Sequence, residues 1–324
     1  MDSQLPPELR AALERLTEGL SRQSLATRAA AISETYRSGG TSKPIADAHD
    51  ALAYALVRMP ATYAAVTACL AALTKARPDF APVSLLDAGA GPGTAAWAAA
   101  GALPSLADFV LLDANPALRA LALTLMESHP RLYHAGYRQG DVRTALETSP
   151  GVDLVTASYV LGELPETDQA AFADLLWQKT QDTLLVVEPG TPAGYARIIA
   201  LRAHLIAQGA HVAAPCPHDK ACPLVLPDWC HFAQRLPRLR DHMLVKGAEV
   251  PFEDEKFSYV ALSRTPVSTP MSRVLAPPRV GKAAVEAKLC MPDDVTGIAV
   301  PRRDKQAYAQ ARRWRWGDAV QADA

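Results

Sequence analysis

Three of the five cysteines in this 324-residue chain fall within fifteen residues. The stretch "APCPHDKACPLVLPDWCHF", 214–232, carries Cys216, Cys222 and Cys230, with His218 and His231 among them. Thiolates are soft ligands that suit zinc and iron–sulfur clusters alike. The spacing C-x5-C-x7-C is looser than the tight knuckles of structural zinc sites, and Cys-Pro steps such as 216–217 and 222–223 recur beside iron–sulfur ligands. Spacing alone therefore leaves both metals open, and zinc would recruit His218 or His231 as a fourth ligand. Cys290 lies a further sixty residues on. Cys69 sits on an apolar helical face and reads as a buried core thiol.

A second group of residues suits a nucleotide-like ligand. "LLDAGAGPGTA" places Gly89, Gly91 and Gly93 after an apolar run and before a helical one. Glycine allows a tight turn and close approach of a ligand, and the helix that follows offers free N–H groups. Asp113 ends the next apolar run twenty-four residues after Gly89, where a carboxylate can accept from ribose hydroxyls. Dinucleotides and S-adenosylmethionine both fit such a turn. A dinucleotide fingerprint requires Gly or Ala three residues after the second glycine, and Thr94 stands there. The G-x-G-x-G spacing preceded by Asp87 resembles the first motif of Rossmann-like S-adenosylmethionine methyltransferases. That resemblance implies cofactor contacts from Asp87, Gly89, Gly91, Gly93, Asp113 and Asp141, the last approaching the adenine. In such enzymes the loop after the fourth strand carries catalytic groups. Here it reads "SYVLGEL", 158–164, without a recognisable catalytic motif. Glu163 reads as a solvated loop acid, with general base as the sharper alternative, and the catalytic residue stays unknown.

The elements that must position these groups follow from periodicity. Residues 7–36 read as a helix on Leu9, Leu13, Leu16 and Leu20, and 45–76 as one or two more with a start at Pro60. From 79 to 190 apolar strands alternate with helices, which predicts an α/β fold with a parallel doubly wound sheet. Residues 257–264 read as an antiparallel edge strand of that sheet. The divisions expected are an N-terminal helical region (1–78), a Rossmann-like domain with a cysteine-bearing insert at 210–240 (79–265), and a β-rich, basic C-terminal appendage (266–324).

The charge is −1 overall, so no whole-molecule field favours nucleic acid. Residues 271–317, however, hold ten Lys/Arg against four Asp/Glu, an excess of six. "RRDKQAYAQARRWRW" mixes Arg302, Arg303, Lys305, Arg312, Arg313 and Arg315 with Tyr308, Trp314 and Trp316. Cations that neutralise phosphates beside aromatics that stack on bases suit RNA, while a solvated helix with inward tryptophans is the plainer reading. The N-terminus lacks a basic region and an apolar core, and no run approaches eighteen apolar residues. The expectation is a cytoplasmic protein with no membrane span, in which clustered cysteines are metal ligands or redox groups and not disulfides.

The blocks "CPHDKACPL", "DWCHFAQRLPR", "VEPGTPAGY" (187–195), "LAYALVRMPATYAAV" (52–66) and "WGD" (316–318) resemble one family. It is the mitochondrial small-ribosomal-subunit assembly factors known as methyltransferase-like protein seventeen, with their yeast and bacterial relatives. The likeness spreads over roughly 35–318. It implies a methyltransferase-like fold, action on the small ribosomal subunit and its rRNA, and a [4Fe–4S] cluster on Cys216, Cys222, Cys230 and Cys290, with zinc as the alternative. It raises iron–sulfur above zinc and moves His218 and His231 to supporting roles. Two other classes stay in view: a non-catalytic RNA-binding assembly factor, and a zinc-containing small-molecule methyltransferase.

Overall fold

The structure, a computed structural model, describes residues 3–37, 40–238, 243, 249–268 and 272–321. Leu9 and Leu13 are buried as their spacing requires, but the single helix expected over 7–36 divides in two. Helix α1 (Pro7–Thr17) stops before Gly19, whose φ of +76° glycine adopts without a Cβ penalty. Helix α2 (Arg22–Arg37) begins after Ser21, whose hydroxyl accepts from the Ser24 N–H at 3.3 Å. The next segment takes the first of its two expected forms, without the helix start expected at Pro60. It is one 29-residue helix, α3 (Ala48–Ala76), continuous through Pro60. An interior proline costs about 3 kcal/mol in helix propensity. Burial of Leu56, Val57, Met59 and Tyr63 around it outweighs that loss. Asp47 and Asp50 form a reciprocal capping box at its start, and Arg28 pairs with both acids.

Against the expectation that no segment approaches a membrane span in apolarity, α3 is long and apolar enough to cross one. In this fold 72% of its most apolar stretch is buried inside the protein, against the sheet and helix α4. It is the core helix of the layer.

The alternation that follows is as expected: β1 (Ser84–Ala88), α4 (Thr94–Ala102), β2 (Asp108–Asp113), α5 (Pro116–Met126), β3 (Gly136–Gln139), α6 (Val142–Glu147), β4 (Val152–Ser158), α7 (Glu166–Lys179), β5 (Thr180–Pro189) and α8 (Pro192–Ile206). Strands β6 (His211–Ala214), β7 (Phe232–Pro237) and β8 (Phe252–Ser263) complete the sheet. Its order is β3-β2-β1-β4-β5-β8-β6, with β7 also paired to β8. The first five strands are parallel and β8 runs antiparallel to β5. The late strand is thus antiparallel, as read, but it is not an edge. Its twelve residues are long enough to pair β5 and β6 near the end and β7 near the start.

Strand residues alternate between two cores, as a sheet covered on both faces requires. Leu85, Leu111, Leu154, Leu185, Tyr259 and Ala261 face α1–α5. Leu86, Leu112, Val155, Val186, Val260 and Leu262 face α7 and α8. The N-terminal helices therefore share the sheet's own core. The remaining chain forms a second, antiparallel sheet: β9 (Ser272–Val274), β10 (Arg279–Val280), β11 (Ala284–Cys290), β12 (Val295–Pro301) and β13 (Ala319–Val320), with helix α9 (Lys305–Ala311) before the last strand.

Leu70 is fully buried on α3. Leu70→Ala is expected to lower stability by about 2–5 kcal/mol, measured by urea denaturation.

Candidate functional site

The parallel strands deliver the predicted residues to one edge, at their carboxyl ends, where open α/β sheets bind ligands. Gly89, Gly91 and Gly93 all have positive φ, of 75°, 52° and 80°. The Gly89 and Ala90 N–H groups donate to the Leu112 carbonyl, which locks the turn against β2. A side chain at 89 would place its Cβ 2.6 Å from Val160 Cγ2, in the loop after β4. Asp113 accepts from the Gly91 N–H and the Asn115 N–H, both at 2.8 Å. Asp87 is 1% exposed; one oxygen accepts from the Thr156 hydroxyl at 2.7 Å and the other has no partner. Burial raises its carboxyl to about 7 and raises Asp113 too. Asp141 follows β3 at the same edge. It is exposed and accepts from the Arg143 and Thr144 N–H groups as the cap of α6.

Glu163 is not the solvated acid its loop position suggested. It is half-buried, accepts from the Ser42 N–H at 3.3 Å and lies beside Tyr36. Burial pushes it up to about 7, and the charge of Asp113 adds to that. The Asn115 amide donates to the Ser42 and Ile45 carbonyls. The segment before α3 thus straps the mouth of the glycine turn, a contact between residues 121 positions apart that no local pattern announces. The loop after β4 is also pinned. Glu188, fully buried, accepts from the Leu161 N–H and pairs with Arg197 at 2.7 Å. Tyr159 is held at φ +60° with its hydroxyl donating to Glu255. This accounts for the "VEPG" block: the acid at the end of β5 anchors the neighbouring loop.

The cysteine segment is the connection between β6 and β7, both paired to β8. Cys216 leaves β6, Cys230 enters β7, and Cys290 ends β11 in the second sheet. All four predicted cysteines line one small cavity with Tyr195, Arg202 and Arg273. None forms a disulfide. Among the described residues no three His, Cys, Asp or Glu side chains are placed so as to hold a metal ion; the four thiols share the wall of one cavity. The donor set, four free thiols from two sheets, fits a tetrathiolate group. Tyr195 Oη and Cys222 Sγ share a hydrogen bond at 3.2 Å. Burial raises the Cys216, Cys230 and Cys290 thiols. His218 borders the cavity, with Nε2 3.9 Å from Cys290 Sγ. His231 instead stacks on Trp229 and meets Trp316 edge-on. Lys220–Asp293 and Lys288–Asp228 ion pairs tie this loop to the second sheet.

At the basic end, Lys282, Arg302, Lys305 and Arg312 line an open groove with Tyr308, whose hydroxyl donates to the Gly281 carbonyl. Trp314 packs on the small core of the second sheet, and Trp316 on the main core. The tryptophans turn inward and leave the cations outside.

The strand order, with an antiparallel strand inserted beside β5, and the glycine turn under two acids define a Rossmann-like, methyltransferase-type α/β protein. The family described as mitochondrial small ribosomal subunit Rsm22 matches residues 48–321, and the chain belongs to that family. Similar proteins include the human "Ribosome assembly protein METTL17, mitochondrial", 30% identical, covering 82% of this chain and 61% of that one. The Schizosaccharomyces pombe "Rsm22-cox11 tandem protein 2, mitochondrial" is 26% identical over 82% of this chain and 42% of its own length. The chain therefore spans about three fifths and two fifths of these relatives. Solved structures with some likeness include magnesium protoporphyrin IX methyltransferase from Synechocystis PCC 6803 with bound SAH (TM-score 0.42, 12% identity, 63% of this chain and 84% of that one). Another is precorrin-6y C5,15-methyltransferase from Geobacter metallireducens GS-15 (TM-score 0.40, 13% identity, 60% and 85%).

Asp87 generates a pH test. Its folded carboxyl titrates at about 7 against 3.8 when free, so the folded state holds the proton better. The stabilisation is complete below about pH 4 and is lost as pH rises through 7. Between pH 5 and pH 8 it accounts for about 2–3 kcal/mol. Asp87→Asn is expected to remove that part of the pH dependence, measured by urea denaturation at both pH values.

Proposed function

We propose that this chain is an S-adenosylmethionine-binding, iron–sulfur-containing, methyltransferase-like protein that works in assembly of the small ribosomal subunit, in contact with its rRNA. The observation that carries the reading is the family match over 48–321, joined to a ligand turn of matching chemistry. Asp87, Asp113 and Glu163 gather at the turn, each raised by burial. A dinucleotide would bring its dianionic pyrophosphate against them. S-adenosylmethionine brings a sulfonium and an ammonium, and opposite charge is what such a site favours. Gly89, Gly91 and Gly93 would lie under the cofactor, Asp113 would hold its ribose, and Asp141 would approach the adenine. The bound cofactor would supply an activated methyl group. The chain's own contribution is positional: Glu188 and Arg197 fix the loop facing the turn, and aligned approach is the main requirement of methyl transfer.

The [4Fe–4S] assignment to Cys216, Cys222, Cys230 and Cys290 is supported by their common cavity and by the family resemblance. Metal and sulfide analysis of anaerobically purified protein separates it from zinc, since a cluster colours the protein and zinc does not. A second reading, a non-catalytic rRNA-binding assembly factor, draws on one observation: the strap through Ser42 and Ile45 bonds to Glu163 and Asn115 beside the turn.

Calorimetric titration with S-adenosylmethionine decides between the two readings. Binding is expected, at least tenfold weaker in Asp113→Asn. It should also be weaker at pH 6 than at pH 8, because acids titrating near 7 lose their charge as pH falls. No binding at millimolar cofactor would support the non-catalytic reading. Affinity for small-subunit rRNA should fall steeply with salt. Arg302→Ala with Lys305→Ala is expected to reduce the log–log salt slope by about 0.7 for each phosphate no longer neutralised.

A further inference from the structure

Arg202 on α8 is 2% exposed and Arg273 on β9 is 4% exposed, and both line the cavity that holds the four cysteines. Arg202 lies within hydrogen-bonding reach of the Cys216 thiol, and the other hydrogen bonds of the two go to carbonyls. Arg202 Nη2 donates to His218 O at 2.6 Å, and Arg273 donates to Pro215 O at 2.6 Å and Gly317 O at 2.9 Å. The buried Arg202 Nε has no hydrogen-bond partner. Among the described residues neither guanidinium has a carboxylate at ion-pair distance. An uncompensated buried charge costs several kcal/mol, and arginine cannot escape the cost by losing its proton. Two fixed, buried positive charges on the wall of one pocket call for an anion there. The acidic groups on the pocket wall are the four thiols and the phenols of Tyr195 and Tyr259. Carbonyl oxygens orient the two guanidiniums but carry no net charge to balance them.

We propose that Arg202 and Arg273 are the counter-charges of a dianionic metal–tetrathiolate group bound by Cys216, Cys222, Cys230 and Cys290. Four thiolates around a core of two positive charges, Zn²⁺ or [4Fe–4S]²⁺, leave two negative charges, matching the two arginines. Loading of Zn²⁺ or of a preassembled [4Fe–4S]²⁺ core exchanges four S–H protons, released to water, for four metal–sulfur bonds, with no electron transferred. The arginines come from α8, packed on the main sheet, and from β9, which lies between β11 and β13 in the second sheet. The charge match therefore draws the two sheets together across the cavity, as the cysteines do. This inference rests on the metal reading above and extends it to residues that ligate nothing.

The test uses the full chain, purified anaerobically, with iron, sulfide and zinc measured per chain. Wild type is expected to hold metal. Arg202→Met and Arg273→Met should each speed its release to a chelator at least tenfold, and Arg202→Lys and Arg273→Lys should restore most of the retention. A second measurement covers variants that fold poorly. In a chain with all four cysteines changed to serine, adding Arg202→Met and Arg273→Met should raise Tm, because a buried charge without its counter-ion is removed. In the cysteine-containing chain the same pair should lower it. A wild type that holds no metal after anaerobic reconstitution overturns the metal reading. Loaded wild type with unchanged release in the methionine variants, or a lowered Tm in both backgrounds, overturns the counter-charge inference alone.

Discussion

The pairing of β8 is the constraint on which the rest of the structure depends. One half of this strand closes the parallel sheet along β5, from Thr183 to Pro189. Its remaining pairings hold β6 and β7, the two roots of the cysteine connection. The Ser258 hydroxyl on the same strand donates to the Cys230 carbonyl at 2.8 Å, and the Trp229 indole donates to the Gly190 carbonyl just past β5. The edge that carries the glycine turn and the cavity that carries the thiols are thus built on one backbone. Neither could be placed without the other's strands.

The two sites use burial in opposite senses. At the turn, carboxyls are enclosed until their proton affinity rises, and a cationic ligand would relieve them. At the cavity, guanidiniums are enclosed, and an anionic group would relieve them. Low dielectric magnifies both. The protein stores unbalanced charge of each sign at the two places where its family resemblance implies a ligand.

Much of this was legible in the residues. The glycine turn, Asp87 and Asp113 were readable because strand, turn and helix follow one another locally and the chemistry sits at the junctions. The four cysteines were readable by type and by family likeness. What was not readable came from distant partners. Pro60 sits inside a helix because tertiary burial of its neighbours overrides propensity. Glu163 is half-buried because Ser42, from the far end of the chain, covers it. Strand β8 looked like an edge because the short β6 and β7 beside it carry weak periodicity. Arg202 and Arg273 look like any surface arginine in sequence; only the packing of α8 and β9 shows that they are enclosed. Trp314 and Trp316 suit stacking on bases or packing inward by sequence alone; the cores that receive them give the second, plainer reading.

The enclosure of α3 has a consequence in time. This helix is complete at residue 76, yet it packs on β6, β7 and β8 as well as on α4 and α5. Its last covering strand ends at Ser263. At roughly 5–20 residues per second of synthesis, a helix apolar enough for a bilayer waits on the order of tens of seconds beside the ribosome before its cover is made. Until then α3 has only its neighbouring helices for cover, and the face that β6, β7 and β8 will pack against stays open to water. Chaperones, or the early packing of α1 and α2 along it, must carry it through that interval, and translation speed becomes part of how the fold is reached.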